Sequence, residues 1–183
     1  KSAIFLFLGK CAAGIKRLAK FFYRHIVKNP IQSMLLLGIG VCLCWIYGRQ
    51  IILVYGYRAS DIPVHMSWIN EMSRGKIFAK GVYPFGFHCM IYYLHAVFRF
   101  DTYVILCQFF FAQVIFMHLV LLAMLKQLCK TKYIPYIGTF VFLLGNFWSG
   151  QTYSRFYATL PQEFGMIFVI PSIYFLIRFF QIS

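Results

Sequence analysis

The sequence predicts an all-α protein, a polytopic bundle of about four to five transmembrane helices with a basic amphipathic helix ahead of it and a short helix in its first outer loop. Three observations carry that expectation. Apolar residues make up 61% of the 183 positions and charged residues 12%, against about 25% charged in soluble domains. The apolar residues gather in runs, several of them near the ~20 residues that cross a hydrocarbon layer. Finally, 18 Lys and Arg stand against 4 Asp and Glu, a net charge of +14. With no nucleic-acid-binding motif in the chain, that excess fits anionic lipid headgroups and the basic bias of cytoplasmic segments, so nucleic acid is not an expected partner. The cysteines at 11, 42, 44, 89, 107 and 129 form no CxxC pair and read as small hydrophobes.

Residues 1–29 form the first expected unit. At about 100° per residue, Lys10, Lys16, Arg17, Lys20, Arg24 and Lys28 fall on one arc, and Cys11, Ala12, Ile15, Leu18, Ala19, Phe22 and Ile26 on the opposite one. Such a helix lies flat in a membrane interface, and its charges place it on the cytoplasmic leaflet of the cell membrane, with the N-terminus inside. Pro30 ends it, because proline cannot continue the hydrogen-bond ladder.

Residues 30–183 form the membrane module. The run 31–55, broken only by Arg49-Gln50, is long enough for one span and leads into an outer loop, 56–84. Residues 85–98 are apolar but short, 103–125 make a full span, and 133–147 and 164–180 are further candidates. A second polar island fills 146–164. The chain opens on Lys1 and stops beside an apolar stretch, so it reads as part of a longer protein. Two topologies fit. If 85–98 crosses, Lys126, Lys130 and Lys132 lie outside; if it dips or lies flat, they lie inside, as charge bias favours.

The outer loop holds two of the four acids. Ser60-Asp61-Ile62-Pro63 is a helix start, a capping residue followed by proline in the first turn. Gly75 is a natural stop. Between them Val64, Trp68 and Met72 make an apolar stripe, with Asp61 and His65 one turn apart on a neighbouring face. Lys76 and Lys80 then offer the paired cations that a phosphate or diphosphate headgroup needs. Tyr83-Pro84-Phe85-Gly86-Phe87-His88 turns the chain back towards the bilayer, and His88 and His95 share a helix face with Tyr92. A polar stripe at membrane depth faces protein or a cavity.

An N-inside span, an outer loop opening on an acid, a surface helix and then Tyr-Pro-x-Gly-x-His together resemble the GT-C glycosyltransferases, in a form like their poorly characterised bacterial members. The resemblance covers residues 57–99 and favours the topology in which 85–98 crosses. It implies transfer of a sugar from a polyprenyl-phosphate-linked donor to a glycan, lipid or protein acceptor on the extracytoplasmic face, with inversion. On that reading Asp61 is the base that takes the acceptor proton and His65 orients it. Arg58, Arg74, Lys76 and Lys80 stabilise the leaving phosphate, while Tyr83 and His88 contact phosphate or sugar. In the second island, Arg155 and Glu163 are the candidate sugar contacts among aromatics such as Trp148 and Tyr153. No cofactor motif is present; a divalent metal held by Asp61, His65 and His88 is the one cofactor the residues suggest.

Structural readings stand beside these. Asp61 serves equally as a helix cap, the lysines as snorkelling anchors, the histidines as polar groups satisfied between helices, and Glu163 as a partner of a helix dipole. Two other functions also fit: a transporter or channel with His88, His95, His118 and Asp101 along a polar path, and a non-enzymatic membrane subunit.

Overall fold

A computed structural model describes residues 14, 16–17, 19–20, 23–24, 26–53, 56, 61–76, 78, 86–150 and 155–182. Arg58, Lys80 and Tyr83 of the expected site lie outside the described residues, as do Lys10, Cys11, Ala12, Ile15, Leu18 and Phe22 of the basic helix. The chain divides into two compact units, residues 1–40 and 41–183.

In the first unit the described residues from Gly14 to Lys28 are helical and exposed, with Tyr23, Ile26 and Val27 bare beside Lys20, Arg24 and Lys28. Helix α1 (Pro30–Leu43) begins at the proline, and the Asn29 carbonyl accepts its first helical bond from the Ser33 N–H at 3.0 Å. A π-helical turn at Cys44–Gly48 and helix α2 (Arg49–Leu53) follow in sequence, within the second unit. Arg49, the one charge there, rests its guanidinium over the Trp45 ring at 4.8 Å.

Among the described residues three segments are long and apolar enough to cross a membrane: Pro30–Leu53, Thr102–Leu128 and Pro161–Gln181. At 1.5 Å per residue they reach about 36, 40 and 32 Å, against a hydrocarbon core of ~30 Å. The protein is thus an all-α membrane protein. Helix α3 (Ile62–Ser73) begins beside Asp61 with Pro63 in its first turn. It closes as expected at Gly75, whose φ of 83° lets the Gly75 N–H reach the Met72 carbonyl at 2.9 Å and the Lys76 N–H the Glu71 carbonyl at 3.0 Å.

Helix α4 (Gly86–Phe98) has 13 residues and a rise of about 20 Å, short of a full crossing. It turns within three residues into α5 (Thr102–Leu128). Arg99 takes a left-handed φ of 60° there. His95 Nδ1 bonds the Phe100 carbonyl at 2.7 Å, and the Asp101 carboxylate caps the Val104 N–H at 3.1 Å. Helix α6 (Ile134–Trp148) is a shorter apolar helix, and α7 (Pro161–Ile182) carries Pro171 inside it.

The inward stripe of α3 differs from the one expected. His65, Ile69 and Met72 are buried, whereas Val64 is exposed. The reason is that α3 packs on protein: Ile69 joins Phe87, Ile91, Ile105 and Leu106 in one core cluster, with Ile62, Met66, Phe109 and Phe164 at its margin. Phe87 lies edge-on to Phe164 at 5.8 Å, so the start of α4 and the first turn of α7 meet at that cluster.

Non-helical backbone is buried as well. Tyr157, Ala158 and Thr159 are almost wholly enclosed. The Tyr157 hydroxyl donates to the Ile46 carbonyl in the π-helical turn at 2.7 Å, with its ring 5.2 Å from that of Tyr47. The Phe110 N–H donates to Thr159 Oγ1 at 2.9 Å, and Gln113 Nε2 to the Leu160 carbonyl at 3.1 Å. Irregular backbone is tolerated inside a membrane protein where side chains satisfy it in this way.

Candidate functional site

Asp61 and His65 open α3 one turn apart, and the structure adds His88 from the first turn of α4. His65 Nδ1 and His88 Nε2 lie 3.0 Å apart in a buried hydrogen bond. Trp68 stands edge-on to both rings, at 5.8 and 5.2 Å, and Phe87 does the same at 6.1 and 5.2 Å. Removal from water disfavours the charged imidazolium. Burial therefore lowers the pKa of His65, opposed by the Asp61 charge; it lowers that of His88 to about 4, with His65 adding to the effect. The pair is neutral at physiological pH.

Asp61 itself is exposed at the head of the helix. Its backbone carbonyl accepts from the His65 N–H at 3.0 Å, but its carboxylate makes no capping bond. Asp61 thus holds the N-cap position the sequence indicates, through its backbone carbonyl rather than its carboxylate. His88 is fully buried, and its Nε2 faces His65 rather than the surface where the sequence placed it against phosphate or sugar. These residues do not fit a divalent metal as arranged: one ring nitrogen of each histidine is spent on the other. Among the described residues no cluster of three or more His, Cys, Asp or Glu is placed to hold an ion.

Past the end of α3 the cations are met by the second acid of the loop. Glu71 Oε1 pairs with Arg74 Nη1 and Glu71 Oε2 with Lys76 Nζ, both at 3.1 Å. The Lys76 hydrogen bond and charge lower the Glu71 pKa, with Arg74 contributing less. The side chains of Arg74 and Lys76 remain 72% and 70% exposed, so the cluster keeps one surplus positive charge open to solvent.

The second island brings its two candidates together. Arg155 Nε donates to Glu163 Oε1 at 2.6 Å and Arg155 Nη2 to Gln162 Oε1 at 3.0 Å, at the start of α7. Gln113 and Thr139, which the sequence reading passed over, are buried in the bundle together with His118 and with Asn146 and Thr159 of the second island. Gln113 Oε1, His118 Nε2, Asn146 Nδ2 and Glu163 Oε2 are enclosed without a hydrogen-bond partner among the described residues. The available signal was Gln108, Gln113 and His118 recurring every five residues inside the apolar run 103–125. No known family, curated protein or solved structure matches this chain.

Proposed function

We propose that this chain belongs to a membrane enzyme that transfers a sugar from a polyprenyl-phosphate-linked donor to an acceptor hydroxyl, with Asp61 as the general base. The observation that carries this reading is the position of Asp61. It is exposed at the head of α3 and stands one turn from an imidazole anchored by His88. In the transfer, the acceptor hydroxyl loses its proton to Asp61 as its oxygen bonds to the sugar C1. The bond from C1 to the phosphate oxygen breaks, and polyprenyl phosphate leaves with the electron pair. Exposed Arg74 and Lys76, with their surplus positive charge, suit that anion.

The test is transfer by the full-length protein in nanodiscs, with a radiolabelled polyprenyl-phosphate sugar and a hydroxyl acceptor. Wild type should transfer and Asp61→Asn should lose about 10²–10⁴-fold in rate; equal rates in the two proteins would overturn the assignment of the base. A transport function draws on a different observation, the unpartnered buried polar atoms of α5 and α6 at His118 and Asn146. It requires solute flux in proteoliposomes that survives Asp61→Asn.

A further inference from the structure

The first turn of α7 and the middle of α5 are joined through one carbonyl. Leu160 O accepts both from the Phe164 N–H and from Gln113 Nε2, each at 3.1 Å. Gln113 is 3% exposed, and its amide orientation is set by that donation, which leaves Oε1 as an enclosed acceptor with no donor among the described residues. Three residues on from Leu160, the Glu163 side chain is 11% exposed. Arg155 holds Oε1 and neutralises the charge, and Oε2 is the second enclosed acceptor without a donor. A buried acceptor left unmet forfeits its hydration with nothing in return, so these two atoms call for a partner that donates.

We propose that Gln113 Oε1 and Glu163 Oε2 form a binding site for a neutral hydroxyl-bearing group, a polyol or the hydroxylated headgroup of a lipid. The chemistry selects that class. Both open atoms are acceptors, so the guest must supply donors. The Arg155 guanidinium already balances the carboxylate, so a cationic guest gains no unmatched charge. The buried turn Tyr157–Thr159, tied to α5 through Thr159 and to the π-helical turn through Tyr157, fixes the site's geometry before any guest arrives. The site stands whether or not Asp61 acts as a base.

The experiment is hydrogen–deuterium exchange on the full-length protein in nanodiscs, read at the amides of residues 159–164. Two probes are compared: soluble methyl β-D-glucopyranoside in phosphatidylcholine discs, and phosphatidylcholine discs containing a monoglucosyl diacylglycerol, whose headgroup is uncharged and carries hydroxyls. A slowing of exchange with the soluble probe identifies a free polyol site, and a slowing only with the glucosyl lipid a lipid-headgroup site. Glu163→Gln keeps an oxygen for Arg155 but turns the open acceptor into a donor, and should raise the ligand concentration needed about tenfold. Gln113→Met, which keeps side-chain length, should do the same. The proposal fails if neither probe slows exchange in the wild type, if both variants respond as the wild type does, or if the permethylated glucoside, which cannot donate, protects equally.

Discussion

His65 and His88, 23 positions apart in sequence, meet inside the protein with Nδ1 and Nε2 3.0 Å apart. The bond fastens the outer-loop helix α3 to the first turn of α4, and it places a neutral imidazole beneath Asp61. Held between Trp68 and Phe87, the pair also makes the stability of this junction depend on protons.

Both imidazoles have folded-state pKa values below the ordinary 6.5, that of His88 at about 4. Between those values the unfolded chain binds more protons than the folded one, so stability falls as pH falls. The stabilisation is complete above pH 6.5 and is lost as the pH drops towards 4; a loss on the order of 1–3 kcal/mol is expected. Asp61 acts on His65 in the opposite sense and moderates the effect. Apparent Tm measured in detergent from pH 7.5 to 4.5 should decline, and His88→Gln, which does not titrate, should flatten the curve. Superimposable profiles would exclude the pair as its source.

Asp61→Asn should separate chemistry from folding. The carboxylate makes no capping bond and asparagine is as good a cap, so Tm should move by no more than about 0.5 kcal/mol equivalent. Removing the Asp61 charge also removes what raises the His65 pKa, so that imidazole should titrate lower still. Histidine chemical shifts from a selectively labelled sample, followed across the pH range, check the direction.

Glu71→Gln should release Arg74 and Lys76 from their pairing. These are exposed contacts that contribute little to stability, so the fold should be unaffected. Binding of a polyprenyl phosphate should strengthen and become more sensitive to salt. Native mass spectrometry of retained lipid gives the comparison, and weaker retention in Glu71→Gln would count against a phosphate role for the two cations.

Tyr157→Phe should be costly although the residue lies far from Asp61 in sequence. It removes the hydroxyl that satisfies the Ile46 carbonyl in the π-helical turn and leaves that carbonyl buried. A loss of about 1–3 kcal/mol is expected, read as a lower Tm, together with faster exchange at residues 44–48. An unchanged Tm would show that the turn satisfies this carbonyl by other means.

Helix positions were largely legible in the sequence because each is set by local chemistry. Pro30 opens α1, Pro63 sits in the first turn of α3 and Gly75 closes it. The apolar run expected at 103–125 is the core of α5. The candidate site was legible only in part. Asp61 and His65 share a helix turn, and Arg155 and Glu163 a short stretch, so their proximity follows from spacing. The inward turn of His65 and Ile69 was missed because α3 was read as resting on a membrane surface, where Val64 belongs to the apolar stripe. Its real partner is the face of α4 and α5, which periodicity within α3 cannot reveal.

By itself, then, the sequence determined that this is a helical membrane protein, where its helices begin and end, and which side chains have the chemistry for acid–base work and anion contact. These depend on composition and on neighbours a few residues apart. The tertiary structure decided which groups meet: His65 with His88, Tyr157 with the π-helical turn at Ile46, and Gln113 with the carbonyl at the head of α7. Those pairings join positions 23 to 111 residues apart. They arise because buried polar atoms must find partners wherever packing brings them, and packing is a property of the whole chain.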